Sequence, residues 1–109
     1  MTHYITLGGK ERPIKFGWKA NKLISKKLKL KLTDFNKLMD SFDNIEIMTY
    51  YGLICGAEKT GQPVDFKLKD MTDWFDEESG MGVLHKILEI YAESQEEEEK
   101  SNKAKNKGK

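Results

Sequence analysis

The sequence predicts a mainly α-helical domain of the α+β class: a short N-terminal β-hairpin, a compact bundle of four to five helices, and a disordered, charged C-terminal tail. Three observations carry that prediction. Two short apolar runs flank Gly8-Gly9 near the start. From Phe16 onward the apolar residues recur at spacings of three and four, the period of a helix face. From Glu96 they stop, and a run of Glu gives way to Lys, Asn, Ser, Ala and Gly. A chain of 109 residues holds one domain, placed at 1–95 with the tail at 96–109.

Tyr4-Ile5-Thr6-Leu7 and Arg12-Pro13-Ile14-Lys15-Phe16 form the hairpin, over 3–16, because Gly accepts the positive φ of a tight hairpin turn. Ile5 and Leu7 share one face, answered by Ile14 and Phe16, and Pro13, lacking an N–H, puts its strand at a sheet edge. With no G-x-G-x-x-G or G-x-x-x-x-G-K-[ST] pattern present, Gly8-Gly9 reads as a turn and not as a phosphate-cradling loop. Ala20, Leu23, Ile24 and Leu28 give a helix over 17–29 with lysines on its other faces. Residues 27–32 alternate Lys and Leu. The alternation suits an extended connector, the propensities of both residues favour helix, and locally both readings stay open.

Thr33 is the expected N-cap of a helix over 33–42, with Asp34 in its first turn and Phe35, Leu38, Met39 and Phe42 as one stripe. Asp43-Asn44 cap a helix over 44–58 whose apolar residues, from Ile45 to Cys55, lie on nearly every side; this is the central, most buried helix. Thr60-Gly61-Gln62-Pro63 ends it. A short helix over 68–77 packs Leu68, Met71 and Phe75. Ser79-Gly80-Met81-Gly82 is a break, and the last helix, 82–94, presents Val83, Leu84, Ile87, Leu88 and Tyr91. The tail has no apolar side chain larger than that of Ala104, too little burial to offset its ordering entropy, so it reads as disordered or, at most, a fraying extension of the last helix.

Charge narrows the function. The net charge of +1 conceals a sorting of signs: 10 basic and 4 acidic residues in 1–43, 4 basic and 14 acidic in 44–99, then five Lys and no acid in 100–109. An acidic middle repels phosphate, and 18 Lys to 1 Arg leaves almost none of the forked guanidinium contacts that read bases. The Lys excess also fits the coding bias of an AT-rich genome. The pattern argues against a nucleic-acid binder and for a protein that meets other proteins, or itself, through complementary charge. The sequence has no apolar run of the roughly 18–20 residues a membrane span needs, no basic-then-apolar leader, and one cysteine, which together point to a soluble intracellular domain.

No set of residues assembles an enzyme. His3 lies near the chain start and His85 beside an apolar stripe, and Cys55 on its apolar helix has the character of a small hydrophobe. Two His, one Cys and no C-x-x-C or H-E-x-x-H give no metal signature, and no cofactor is expected. The acidic cluster Asp70, Asp73, Asp76, Glu77 and Glu78 lacks the spacing of a Ca²⁺ loop. It reads as a solvated face or, with Trp74-Phe75 inside it, as a docking surface for a basic partner. Asp70, Asp73, Trp74 and Phe75 are therefore candidate partner-binding residues, Trp74 as the exposed anchor. Trp18, ahead of the lysines at 19–31, is the fifth candidate. That Lys-rich segment carries the alternative reading, a small nucleic-acid-binding regulator, although its spacing matches the polar face of an amphipathic helix.

The opening Leu7-Gly8-Gly9-Lys10-Glu11-Arg12-Pro13-Ile14-Lys15-Phe16, the Phe/Leu-striped helix, the helix bearing Tyr50-Tyr51-Gly52-Leu53-Ile54-Cys55-Gly56-Ala57 and a final helix before a charged tail together resemble the tail assembly chaperones of long-tailed bacteriophages and prophages, over Tyr4 to Ala92. The resemblance implies a helical chaperone that binds the tape measure protein, keeps it soluble and helps recruit tail tube subunits in the host cytoplasm. It also implies absence from the finished virion, self-association into multimers, and no catalytic residues. Such chaperones often have a longer frameshifted form, and the Lys103-Ala104-Lys105-Asn106-Lys107 ending suits a slippery A-rich message.

Overall fold

The computed structural model describes residues 3–107, with side chains over 3–97 apart from Leu32. Strands β1 (His3–Leu7) and β2 (Lys10–Ile14) pair antiparallel, with Leu7 opposite Lys10, Ile5 opposite Arg12 and His3 opposite Ile14. Gly8 (φ 63°) and Gly9 (φ 80°) form the two-residue turn; positive φ at both positions is the type I′ geometry whose twist matches that of paired strands. Ile5, Leu7, Ile14 and Phe16 are buried together, as expected from the sequence.

Helix α1 (Trp18–Leu28) stops where Lys29 turns left-handed (φ 56°). The N–H groups of Lys29 and Leu30 both donate to the Ser25 carbonyl, and Ser25 Oγ donates to Leu30 O at 2.6 Å, so the helix end is satisfied locally. This settles 27–32: its first two residues are helical, Lys29 is the cap, and the chain then passes into a 3-10 helix, Leu32–Met39.

The α-helix expected over 33–42 is thus corrected, and so is its Thr33 cap: Thr33 lies inside the 3-10 helix, preceded by Lys31 with no side-chain cap. The reason lies downstream. Ser41, not Asp43-Asn44, caps the next helix, its Oγ accepting from the Asn44 N–H at 3.1 Å, while Asn44 Nδ2 donates to Lys37 O. The chain must therefore turn at 40–41, which leaves only a short piece better suited to 3-10 geometry. Leu38 still reaches the core, but Phe42 leaves the stripe to become the first residue of the following helix, 80% exposed.

That helix, α2 (Phe42–Thr60), is the centre of the molecule: β2, α1, the 3-10 helix and α3 (Asp70–Glu77) all pack on it. Gly52 and Gly56, one turn apart, let the hairpin approach closely. Lys15 N–H donates to Gly52 O at 3.0 Å, a Cβ at Gly52 would lie 2.5 Å from the Phe16 ring, and one at Gly56 would run into the Pro13 carbonyl. Thr49, fully buried, is satisfied by donating to Ile45 O. Gly61 (φ 72°) caps the helix end.

Between α3 and α4 (Gly80–Lys107) the joint is Glu78-Ser79, with Ser79 left-handed at φ 64°. Val83, Ile87 and Ile90 of α4 enter the core against β1 and α3. Tyr91 OH donates to Asn21 Oδ1, Asn21 Nδ2 to Gln95 Oε1, and the Tyr91 ring meets Phe16 edge-on at 5.1 Å, tying α4 to α1. The helix does not end near Gln95. It continues as helical backbone to Lys107, the extension of the last helix that the tail's sequence allows, with Glu, Lys and Ala as its strong helix formers, while 108–109 lie outside the described residues. Among the described residues no helix is long and apolar enough to cross a membrane.

Candidate functional site

Two clusters of side chains stand out, one joining the hairpin to α3 and one lying between α2, α3 and α4. The first surrounds Arg12, the chain's one arginine, whose side chain is only 8% exposed. Its Nε donates to Leu7 O at 2.7 Å across the turn, and its Nη1 donates to Asp65 Oδ1 at 2.9 Å. Its guanidinium lies 4.2 Å from the Trp74 ring and 5.4 Å from the Phe66 ring. Lys10 takes the other Asp65 oxygen at 2.8 Å. The Lys10 ammonium and then the Arg12 guanidinium hold the Asp65 carboxyl down at about 2. Gly8 completes the clamp, since a Cβ there would lie 2.5 Å from Trp74. Lysine cannot do this work: only the planar fork donates in two directions while stacking between rings.

This clamp corrects the choice of Trp74 as the exposed anchor. Its ring is half-buried over Gly8 and Arg12, where it holds the hairpin to α3. Asp70 is likewise engaged locally, its Oδ2 accepting from the Lys67 N–H at 2.8 Å ahead of α3.

The second cluster is an open groove of about 620 Å³ between the start of α2, α3 and the start of α4. Ile45, Phe75 and Leu84 form its floor, and Phe42 and Met81, 80% and 63% exposed, stand at its lips. Asp43 and Glu46 line the α2 bank, Asp73 and Asp76 the α3 bank, and among the described residues no basic one lines it. On each helix the two carboxylates are three residues apart and so project from one face. Glu46 also accepts from Thr72 Oγ1 at 2.8 Å, bracing the two banks. Of the candidates read from sequence, Phe75 and Asp73 belong to this groove, whereas Trp74 and Asp70 serve the fold. The residues missed are Phe42 and Met81. Phe42 fits an apolar stripe equally well, and only the cap at Ser41 turns it outward.

Trp18 stands apart from both clusters. It is 75% exposed at the head of α1, with Lys22 and Lys26 exposed further along. Lys19 is held by Glu58 at 2.9 Å, a contact that raises its pKa. Glu58 is 16 residues along α2 from Phe42, about 24 Å at 1.5 Å per residue. The basic face and the acidic groove therefore occupy opposite ends of the central helix.

Little else has chemical potential. Cys55 is buried, which pushes its thiol up, with Glu58 adding to the effect, so it is a poor nucleophile. His3 lies 3.8 Å from a Glu93 oxygen and 3.6 Å from one of Glu97, while His85 is exposed. Among the described residues no three His, Cys, Asp or Glu side chains are grouped to hold a metal ion. Compared with protein families, characterised proteins and solved structures, the chain matches none.

Proposed function

We propose that the protein is a non-enzymatic tail assembly chaperone, which binds the tape measure protein of a long-tailed phage, keeps it soluble and helps recruit tail tube subunits. The observation that carries the reading is the groove: two large apolar side chains held out in solvent over an apolar floor, between carboxylates, form a protein-docking surface. Exposed patches of this kind are a liability unless covered by a partner. The resemblance of the Leu7–Phe16 hairpin and the Tyr50–Ala57 helix to such chaperones supplies the identity of that partner. On this reading the protein works in the host cytoplasm and is absent from the mature virion, and copies line up along the client by setting the basic front half of one, Lys-rich α1 included, against acidic residues of the next copy's back half that lie outside the groove.

Co-expression tests the proposal. A long, helical tape measure fragment that is insoluble when produced alone should be recovered in the soluble fraction as a complex when this protein is present, and Phe42→Asp with Met81→Asp should return it to the pellet. A fragment equally insoluble with and without the protein overturns the reading.

One observation favours a second reading, a small nucleic-acid-binding regulator: Trp18 is a free aromatic platform beside exposed Lys22 and Lys26. It requires salt-sensitive binding of generic DNA in a mobility-shift assay, abolished by Trp18→Ala.

A further inference from the structure

We infer that the groove between α2, α3 and α4 takes an amphipathic helix whose apolar stripe is flanked on both sides by Lys or Arg. The inference rests on the groove being the client surface and goes on to specify which segments of a client it selects. The argument starts from the arrangement of charge. A floor of Ile45, Phe75 and Leu84 with Phe42 and Met81 at the edges offers an apolar strip open to solvent, the form that receives a helix face. Asp43 and Glu46 follow one edge and Asp73 and Asp76 the other, each pair one helical turn apart.

A helix laid along this strip puts side chains at i, i+3, i+4 and i+7 onto the floor, and the positions flanking that stripe meet the two rows of carboxylates. Basic residues there find complementary charge on both banks, whereas acidic residues meet like charge. The same rows repel phosphate, which argues against a nucleic acid or an anionic membrane as occupant. A second copy is a poorer fit. The obvious basic amphipathic segment of this chain is α1, and it already spends its apolar face, Ala20 and Ile24, on its own core. A folded copy has only Trp18 and lysines left to present from that helix.

The test uses the full-length protein and a synthetic 14-residue amphipathic helix carrying a Leu stripe flanked by Lys, alongside a twin with Glu in place of every Lys. Fluorescence anisotropy is expected to show binding of the Lys peptide, weakening as salt rises, and none of the Glu twin. Phe42→Ala, at a position exposed enough to leave the fold intact, should weaken binding about 30-fold, the loss typical of an interface aromatic. Asp73→Lys with Asp76→Lys should weaken the Lys peptide and admit the Glu twin. Equal binding of both peptides, affinity within about twofold after Phe42→Ala, or binding abolished by Trp18→Ala overturns the inference, the last by moving the site to α1. The two proposals fail separately. Selective peptide binding with no client solubilised in co-expression rejects the chaperone and keeps the groove's selectivity, whereas a client solubilised by a protein that binds both peptides equally does the reverse.

Discussion

Replacing Arg12 by Lys preserves charge and approximate length, and yet should destabilise the fold substantially. Three contacts are at stake. The Nε bond to Leu7 O, 2.7 Å long and buried, is a charge-assisted hydrogen bond of the kind that contributes about 1.5–3 kcal/mol. Stacking on Trp74 at 4.2 Å, shielded from water by Phe66 and Gly8, adds about 1–2 kcal/mol. The ion pair with Asp65 adds less, because that carboxylate is exposed to screening solvent and already shared with Lys10. A lysine ammonium can keep one of these contacts and not the rest, so the net loss is about 2–3 kcal/mol. For a domain of this size each kcal/mol moves Tm by about 4–8 °C, giving a fall of roughly 10–20 °C. Urea and thermal unfolding at pH 7, followed by far-ultraviolet circular dichroism and by tryptophan fluorescence, read both the stability and the environment of Trp74. Lys10→Arg, on the exposed side of the same carboxylate, is the control and should be nearly neutral. If Arg12→Lys stays within about 0.5 kcal/mol of the parent, the guanidinium geometry does not hold the hairpin, and the clamp is wrong.

Glycines of α2 and α4 should respond to alanine in opposite directions. Gly56→Ala drives a Cβ into the Pro13 backbone and should lose about 1–3 kcal/mol in urea melts, whereas Gly82→Ala, with no atom near its added carbon, should gain about 0.5–1 kcal/mol. Equal effects would refute the close approach of β2 to α2. Asp65→Asn should lower Tm at pH 7. Because the Asp65 carboxyl is held down at about 2 from its ordinary 3.8, its stabilisation is complete above the ordinary value and lost as pH falls through the folded one. The difference between variant and parent melts should therefore close between pH 4 and pH 2, and a gap still open at the acid end would refute the assignment. If the basic front half meets acidic residues of another copy's back half outside the groove, light scattering should show association at low salt and dispersal at high salt. Monomers insensitive to salt at high concentration, or association unaffected by Trp18→Ala with Lys22→Glu, would remove that mode of assembly.

How far sequence reasoning reached depends on the range of the interaction behind each feature. The hairpin follows from Gly8-Gly9, since the demand for positive φ is met within two residues. The central place of α2 follows from its composition, because a helix apolar on nearly every side has to be surrounded. The 3-10 helix is not legible locally: Asp43-Asn44 have the chemistry of caps, and only the fold makes Ser41 the cap instead, which shifts the phase of Phe42. The end of α4 is ambiguous in sequence because low complexity argues for a disordered tail while the helix propensity of Glu, Lys and Ala argues for a fraying extension of the last helix, and the backbone follows the second. A scarcity of arginine is explained by coding bias alone, so composition carries no sign that Arg12 is the residue whose geometry the clamp needs.

The sequence alone determined the element order, the burial of the Ile5, Leu7, Ile14 and Phe16 face, and the segregation of charge, all of which rest on periodicity and composition along the chain. Tertiary structure alone decided which aromatic is spent inside and which is offered outside. Trp74 is covered because Arg12, 62 positions earlier in the chain, stacks on it, and Phe42 is uncovered because the helix beginning there points its first side chain away from the core. Both are apolar rings next to aspartates in sequence. Burial depends on what folds across a side chain from elsewhere in the chain, and local pattern carries no record of that.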